Sequence, residues 1–186
     1  MPGTTPNRGY PYPVNADSPF DMPQAVQDLA EAFDVDMQNL SDSILRRPAA
    51  KVSNRLADPQ TFHADVIAEC SFNFVEFDSD SISDLTNFPT RLTPTSAGLW
   101  LAVGQIVLGT QQSGARDLYV AANGVALDRQ NFHAGGLTGS TQITVGSMSF
   151  MDGVDDYFTL LFEADRATED FFVSQKSFAC FRLNNV

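Results

Sequence analysis

The side chains able to do chemistry are few and scattered. His63 and His133 stand far apart in the sequence, and neither has a zinc-ligand spacing or a neighbouring nucleophile motif. His63 is expected to open a strand and His133 to lie in a glycine-bearing loop. Cys70 and Cys180 are too few for a disulfide framework, lack metal spacing, and read as small buried hydrophobes. Paired carboxylates occur at Asp78/Asp80 and Asp155/Asp156. A glycosidase needs two carboxyls facing each other across roughly 5 to 9.5 Å, whereas aspartates in Gly-bearing runs ordinarily serve solvated turns. Hard oxygen ligands on such loops would suit Ca²⁺, the one cofactor this pattern leaves open. The P-loop and dinucleotide fingerprints are absent. The chain is read as a non-enzyme with no catalytic residue assigned, and a cell-wall hydrolase is the weakest functional reading.

Charge and composition narrow the partners. With 11 Lys+Arg against 23 Asp+Glu the net charge is -12, which argues against nucleic acid, because phosphate neutralisation needs clustered cations. Only Arg46, Arg47, Lys51 and Arg55 cluster. No segment approaches the ~20 apolar residues of a membrane span, and the N-terminus lacks a signal-peptide layout. A chain kept whole from Met1 is expected to be made and assembled in a cytoplasm. The 186 residues, 43% hydrophobic, suffice for one sizeable domain with appendages. Fifteen Phe suggest a β core or a large subunit interface.

The element that must organise the rest is the run from Gly98 to Leu108. As a strand it places Trp100, Ala102, Gly104, Ile106 and Leu108 on one face and Leu99, Leu101, Val103 and Val107 on the other. Both faces ask for cover, one from a second sheet and the other from another subunit. Towards the N-terminus, six of the ten prolines fall in residues 1–23 among Tyr10, Pro11, Tyr12, Pro13 and Phe20, which suggests an extended anchoring arm. Pro23 then favours a helix start and Pro48 lies past its end. Val26, Leu29, Phe33, Met37, Leu40 and Ile44 step by 3, 4, 4, 3 and 4, one stripe of an eleven-residue repeat suited to a straight self-associating bundle. The expected organisation is an arm at 1–22, a helix at 23–46, a linker at 47–61 and a head at 62–186. Strands are expected near 63–70, 72–77, 98–109, 115–122, 125–128, 141–150, 156–163 and 176–184, an all-β sandwich or jelly roll. The expected core includes Trp100, Ile106, Leu108, Phe158, Leu160, Phe162 and Phe181.

Four blocks of this head occur in the order of a known family. Leu92 to Ala102, Leu118 to Gly124, Asp152 to Phe162 and Ser177 to Leu183 resemble segments of the jelly roll shared by the globular head of the first complement component and tumour necrosis factor. The resemblance implies a mainly β, two-sheet antiparallel jelly roll, here preceded by an extended arm and one α-helix. It also implies a compact homotrimer with first and last strands adjacent in the inner sheet, Cys70 near Cys180, and Leu99, Leu101 and Val103 at the trimer interface. Residues 7–40 resemble the starts of minor tail and other virion proteins of actinobacterial phages. That implies a structural virion protein, of tail or capsid, anchored to other virion proteins by its arm and assembled in the bacterial cytoplasm. The alternative is a receptor-binding module for a host-surface glycan or protein, with the 130–141 segment as candidate surface.

Overall fold

The chain forms two units, Met1–Arg47 and Pro48–Val186, in the computed structural model. The structure describes residues 3–4, 11–12, 22–45, 47–54, 60–108, 114–134, 140–165 and 171–183. In the first unit, β1 (Gly3–Thr4) pairs antiparallel with β2 (Pro11–Tyr12), and helix α1 spans Met22–Leu45. Pro23 sits in the first helical turn, where its missing N–H leaves no bond unmade. On α1, Val26, Leu29, Phe33 and Met37 are exposed, an apolar stripe turned to solvent. The side chains of Leu40 and Ile44, and Tyr10, Pro13 and Phe20, lie outside the described residues.

The second unit contains β3 (Ala49–Ser53), β4 (Gln60–Phe62), β5 (Ala68–Glu69), β6 (Phe74–Asp78), β7 (Arg91–Leu92) and β8 (Gly98–Leu108). They are followed by β9 (Gly114–Ala122), β10 (Val125–Ala134), β11 (Thr141–Met151), β12 (Phe158–Asp165) and β13 (Phe171–Arg182). One sheet runs β11-β8-β13-β3-β6 with β4 also on β13, and the other runs β10-β9-β12-β5 with β7 also on β12. Every ladder is antiparallel, and the first long strand, β3, pairs with the last, β13. This is a two-sheet antiparallel jelly roll.

The core lies between the sheets. Trp100, Ala102, Ile106 and Leu108 of β8 are fully buried with Phe158, Leu160 and Phe162 of β12. Phe162 meets Phe62 edge-on at 5.0 Å between centroids, and Trp100 Nε1 donates to the Ser96 carbonyl at 3.1 Å, which satisfies its one polar atom. Gly104 is fixed by this packing, since a Cβ there would run into the Leu160 side chain from the opposite sheet.

Several expectations change. The stretch assigned to a linker contains β3, whose Ala50 and Val52 are fully buried, so the head begins at Pro48. Its alternation is only five residues long and interrupted by Lys51, too brief to stand out from a basic, Pro-flanked segment. Residues 63–67 are not strand: the chain leaves one sheet after β4, turns through Asp65 at φ 58°, and enters the other at β5. β10 runs to Ala134, placing His133 on a strand opposite Ala115 rather than in a loop. Phe181 is not core. It is 37% exposed because its register opposite Leu101 puts it on the outward face, while Phe178 and Cys180 of the same strand point inward.

Two substitutions test this packing. Gly153 has φ 78°, and a Cβ there would overlap the backbone of Ser96 and Ala97, so Gly153→Ala should destabilise by at least about 2 kcal/mol. Thr159 is fully buried and its Oγ1 has no hydrogen-bond partner among the described residues. Thr159→Val keeps the shape and removes that orphan, and should be neutral or stabilise by about 1 kcal/mol. Urea melts of the two variants would show opposite shifts, and a loss of stability in Thr159→Val would mean the hydroxyl is bonded.

Candidate functional site

The outward face of the six-stranded sheet is the surface this fold leaves incomplete. Burial alternates strictly along β8, so Leu99, Leu101 and Val103 are only half-buried while their neighbours in sequence are fully enclosed. Register extends the row sideways. Met148 of β11 and Phe181 of β13 flank Leu101, Phe150 lies opposite Leu99, and Ala179 lies opposite Val103. Beyond Ala179 the same row continues through Lys51 of β3 to Phe77 of β6. Met148 and Phe150 are each 59% exposed, an apolar patch of the kind that marks an association surface, and Phe77, 51% exposed, stands beyond Lys51 at its edge.

Further along the strands the face turns polar. Thr144, Gln105, Ser177 and Ser53 form the next row, bordering a hollow of ≈ 260 Å³ lined by Lys51, Ser53, Glu76, Gln105, Gln175 and Ser177 among others. Lys51 Nζ stands 2.7 Å from Glu76 Oε2. The hydrogen bond from Lys51 holds the Glu76 carboxyl below its usual range, against a smaller opposing effect of burial. These residues can bind and orient polar groups.

The other chemistry-bearing residues are dispersed. Cys180 of β13 lies opposite Ala50 and Ala102 in one sheet, and Cys70 follows β5 in the other and donates its N–H to the Leu160 carbonyl. Both are free buried thiols, each pushed up to about 12 by desolvation, which suppresses the reactive thiolate. Among the described residues no cluster of three or more His, Cys, Asp or Glu could hold a metal. The aspartates cap turns. Asp78 accepts from the N–H groups of Asp80, Ile82 and Ser83 and from the Ser83 hydroxyl, and Asp152 accepts from those of Val154, Asp155 and Asp156. The 130–141 segment is strand to Ala134, with 135–139 outside the described residues. Nothing in the sequence singled out Gln105 or Gln175, and Lys51 entered only as one of four clustered cations; their shared neighbourhood exists only once β3, β8 and β13 are aligned.

A jelly roll with one incompletely covered sheet is the class of architecture this geometry defines. The solved structures that this chain resembles in fold include the globular domain of a zebrafish complement 1qA protein and murine APRIL. The former superposes with TM-score 0.52 at 14% identity, covering 75% of this chain and 99% of its own. The latter gives 0.54 at 9% identity, covering 74% and 99%. No family model matches the sequence, and no curated protein matches it.

The capping role of Asp78 has a pH signature. Burial alone would raise its pKa, but the hydrogen bonds from Ser83, Ile82 and Asp80 outweigh it and the net shift is downward. A folded-state pKa below the unfolded value of about 3.9 gives stability that is present above that value and lost as pH falls through the folded one. Asp78→Asn should therefore lower the melting temperature at neutral pH, with the gap closing as pH falls below about 4. Thermal melts across pH measure it, and a gap independent of pH would remove the carboxylate from this role.

Proposed function

We propose that the protein is a structural component of a phage particle, a homotrimer whose helix and head both self-associate while the N-terminal arm docks on other virion proteins. The observation carrying self-association is the outward face of the six-stranded sheet. It exposes Phe77, Met148, Phe150 and Phe181 beside half-buried Leu99, Leu101 and Val103. Outward positions on β11, β8, β13 and β3 carry one charged side chain, Lys51, and it is paired with Glu76, so this face is neutral on a chain of net charge -12. Charge depletion at an apolar patch is the compositional mark of an interface. The exposed stripe Val26, Leu29, Phe33 and Met37 supports the same reading for α1. Three copies, rather than two, follow from the family resemblance, and the virion setting follows from the resemblance of residues 7–40.

In the second reading the head is a receptor-binding module for a host-surface glycan or protein. Its support is the set of turns at the head's tips, which are braced by their own aspartates.

Light scattering at micromolar concentration should give three times the chain mass. Leu101→Asp should yield a folded monomer, weakening association by about 100-fold or more, because a charge is buried in the interface while Leu101 stays half-exposed in the single chain. A trimer that tolerates this change would move the interface elsewhere. Deleting residues 1–22 should leave the oligomer intact and abolish incorporation into particles, and truncated protein that still incorporates would discard the anchoring role.

A further inference from the structure

We propose that Arg91 is the centre of a separate binding site that holds the carboxylate of an acidic sugar of the uronic-acid type. Its guanidinium carbon lies 4.0 Å from the ring centroid of Tyr157 and 5.5 Å from that of Phe88. The Arg91 N–H returns to the Phe88 carbonyl at 3.2 Å, and β7 fixes Arg91 opposite Thr159 of β12. Aromatic contacts position a guanidinium through its plane and leave its edge donors free. Among the described residues nothing accepts from those donors. By contrast, Lys51 pairs with Glu76, Arg129 makes two bonds to Asp117, and Arg182 donates to the Ala97 carbonyl. A planar fork held open in this way fits a carboxylate with two parallel bonds.

Both rings are set before any ligand arrives. Phe88 follows a turn in which Asp84 accepts from Thr86 and Asn87, and the Phe88 N–H donates to the Asp84 carbonyl at 2.8 Å. The Asn123 N–H donates to the Tyr157 carbonyl, the Tyr157 N–H donates to the Asn123 side-chain Oδ1, and the Asn123 amide nitrogen donates to Asp156 at 2.7 Å. Preorganisation of this kind removes the ordering entropy a mobile loop would have to lose.

The surroundings choose the ligand. The chain carries a net charge of -12, so a doubly charged phosphate or an acidic peptide meets more repulsion than a single carboxylate does. The remaining groups of a sugar acid are hydroxyls, which add no further charge. The Phe88 ring, 51% exposed, offers a face to pyranose C–H groups. The site uses no residue of the six-stranded sheet and is independent of the proposed oligomer.

The test is a titration of the full-length protein, following arginine Nε–Hε signals by NMR, with sodium glucuronate, glucose, glucose 6-phosphate and an acetylated Glu-Glu dipeptide amide as separate probes. The Arg91 signal, identified by its absence in Arg91→Lys, should move saturably with glucuronate at a midpoint of roughly 1 to 10 mM. It should be still with glucose, and the other two probes should bind at least about 5-fold more weakly. Arg91→Lys and Phe88→Ala should each weaken glucuronate binding, the first by about 10-fold through loss of the fork. No saturable movement with glucuronate, an equal response to glucose, or tighter binding of the phosphate or dipeptide would overturn the proposal. The wild-type titrations decide it even if a variant fails to fold.

Discussion

A two-layer sandwich covers only the inner face of each sheet, and β8 is apolar on both. Its inward residues, from Trp100 to Leu108, meet the Phe and Leu side chains of β12 and vanish from solvent. Its outward residues have no second layer and remain half-exposed. Each half-buried leucine or valine leaves apolar area in water, at about 25 cal/mol per Å². The surrounding strands add to that area instead of relieving it, since Met148, Phe150, Phe181 and Phe77 share the face. A sheet serving only to close one core would carry polar residues at these positions, as β10 does with Arg129 and Asn131 on the outer side of its own sheet.

The comparison between the two sheets sharpens the point. On the outward side of the five-stranded sheet, Tyr119 donates to Glu163 at 2.7 Å and Arg129 and Asn131 both donate to Asp117, a network that satisfies its members within one chain. Burial, followed by the Glu163 hydrogen bond, pushes the Tyr119 hydroxyl up to about 12, so it remains a donor throughout the ordinary pH range. That network asks for no partner. The opposite sheet has its polar groups gathered at one end, around the Lys51–Glu76 pair, and its apolar groups at the other.

Most of this was legible in local pattern. The period-2 run at 98–108, the helix from Pro23, and the turns at Asn123-Gly124 and Asp152-Gly153 each carry a physical signal that survives in a single sequence. What was illegible depends on pairing. Ala49–Ser53 looks like linker until Cys180 and Ala50 are seen to be opposite one another. Phe181 looks like core because it is aromatic, and only the register with Leu101 assigns its face. Val66 and Ile67 read as part of a strand, yet the chain crosses between sheets there and leaves both exposed. Arg91 gave no signal at all, because Phe88 and Tyr157 come together across long sequence separation.

The same distinction explains where the carboxylates go. A chain with 23 acidic residues invites a metal site or a catalytic pair. Yet Asp78, Asp84, Asp152 and Asp156 are spent on backbone and amide donors in the turns that join the strands. Short jelly-roll connections leave N–H groups without ladder partners, and a carboxylate one to five residues away satisfies two or three of them at once. Acidic charge of the head is thus held in its turns, and none stands on the outward rows of β11, β8, β13 and β3. Charge sorting and turn capping are one consequence of the strand pattern, and together they leave a neutral apolar face on an acidic protein.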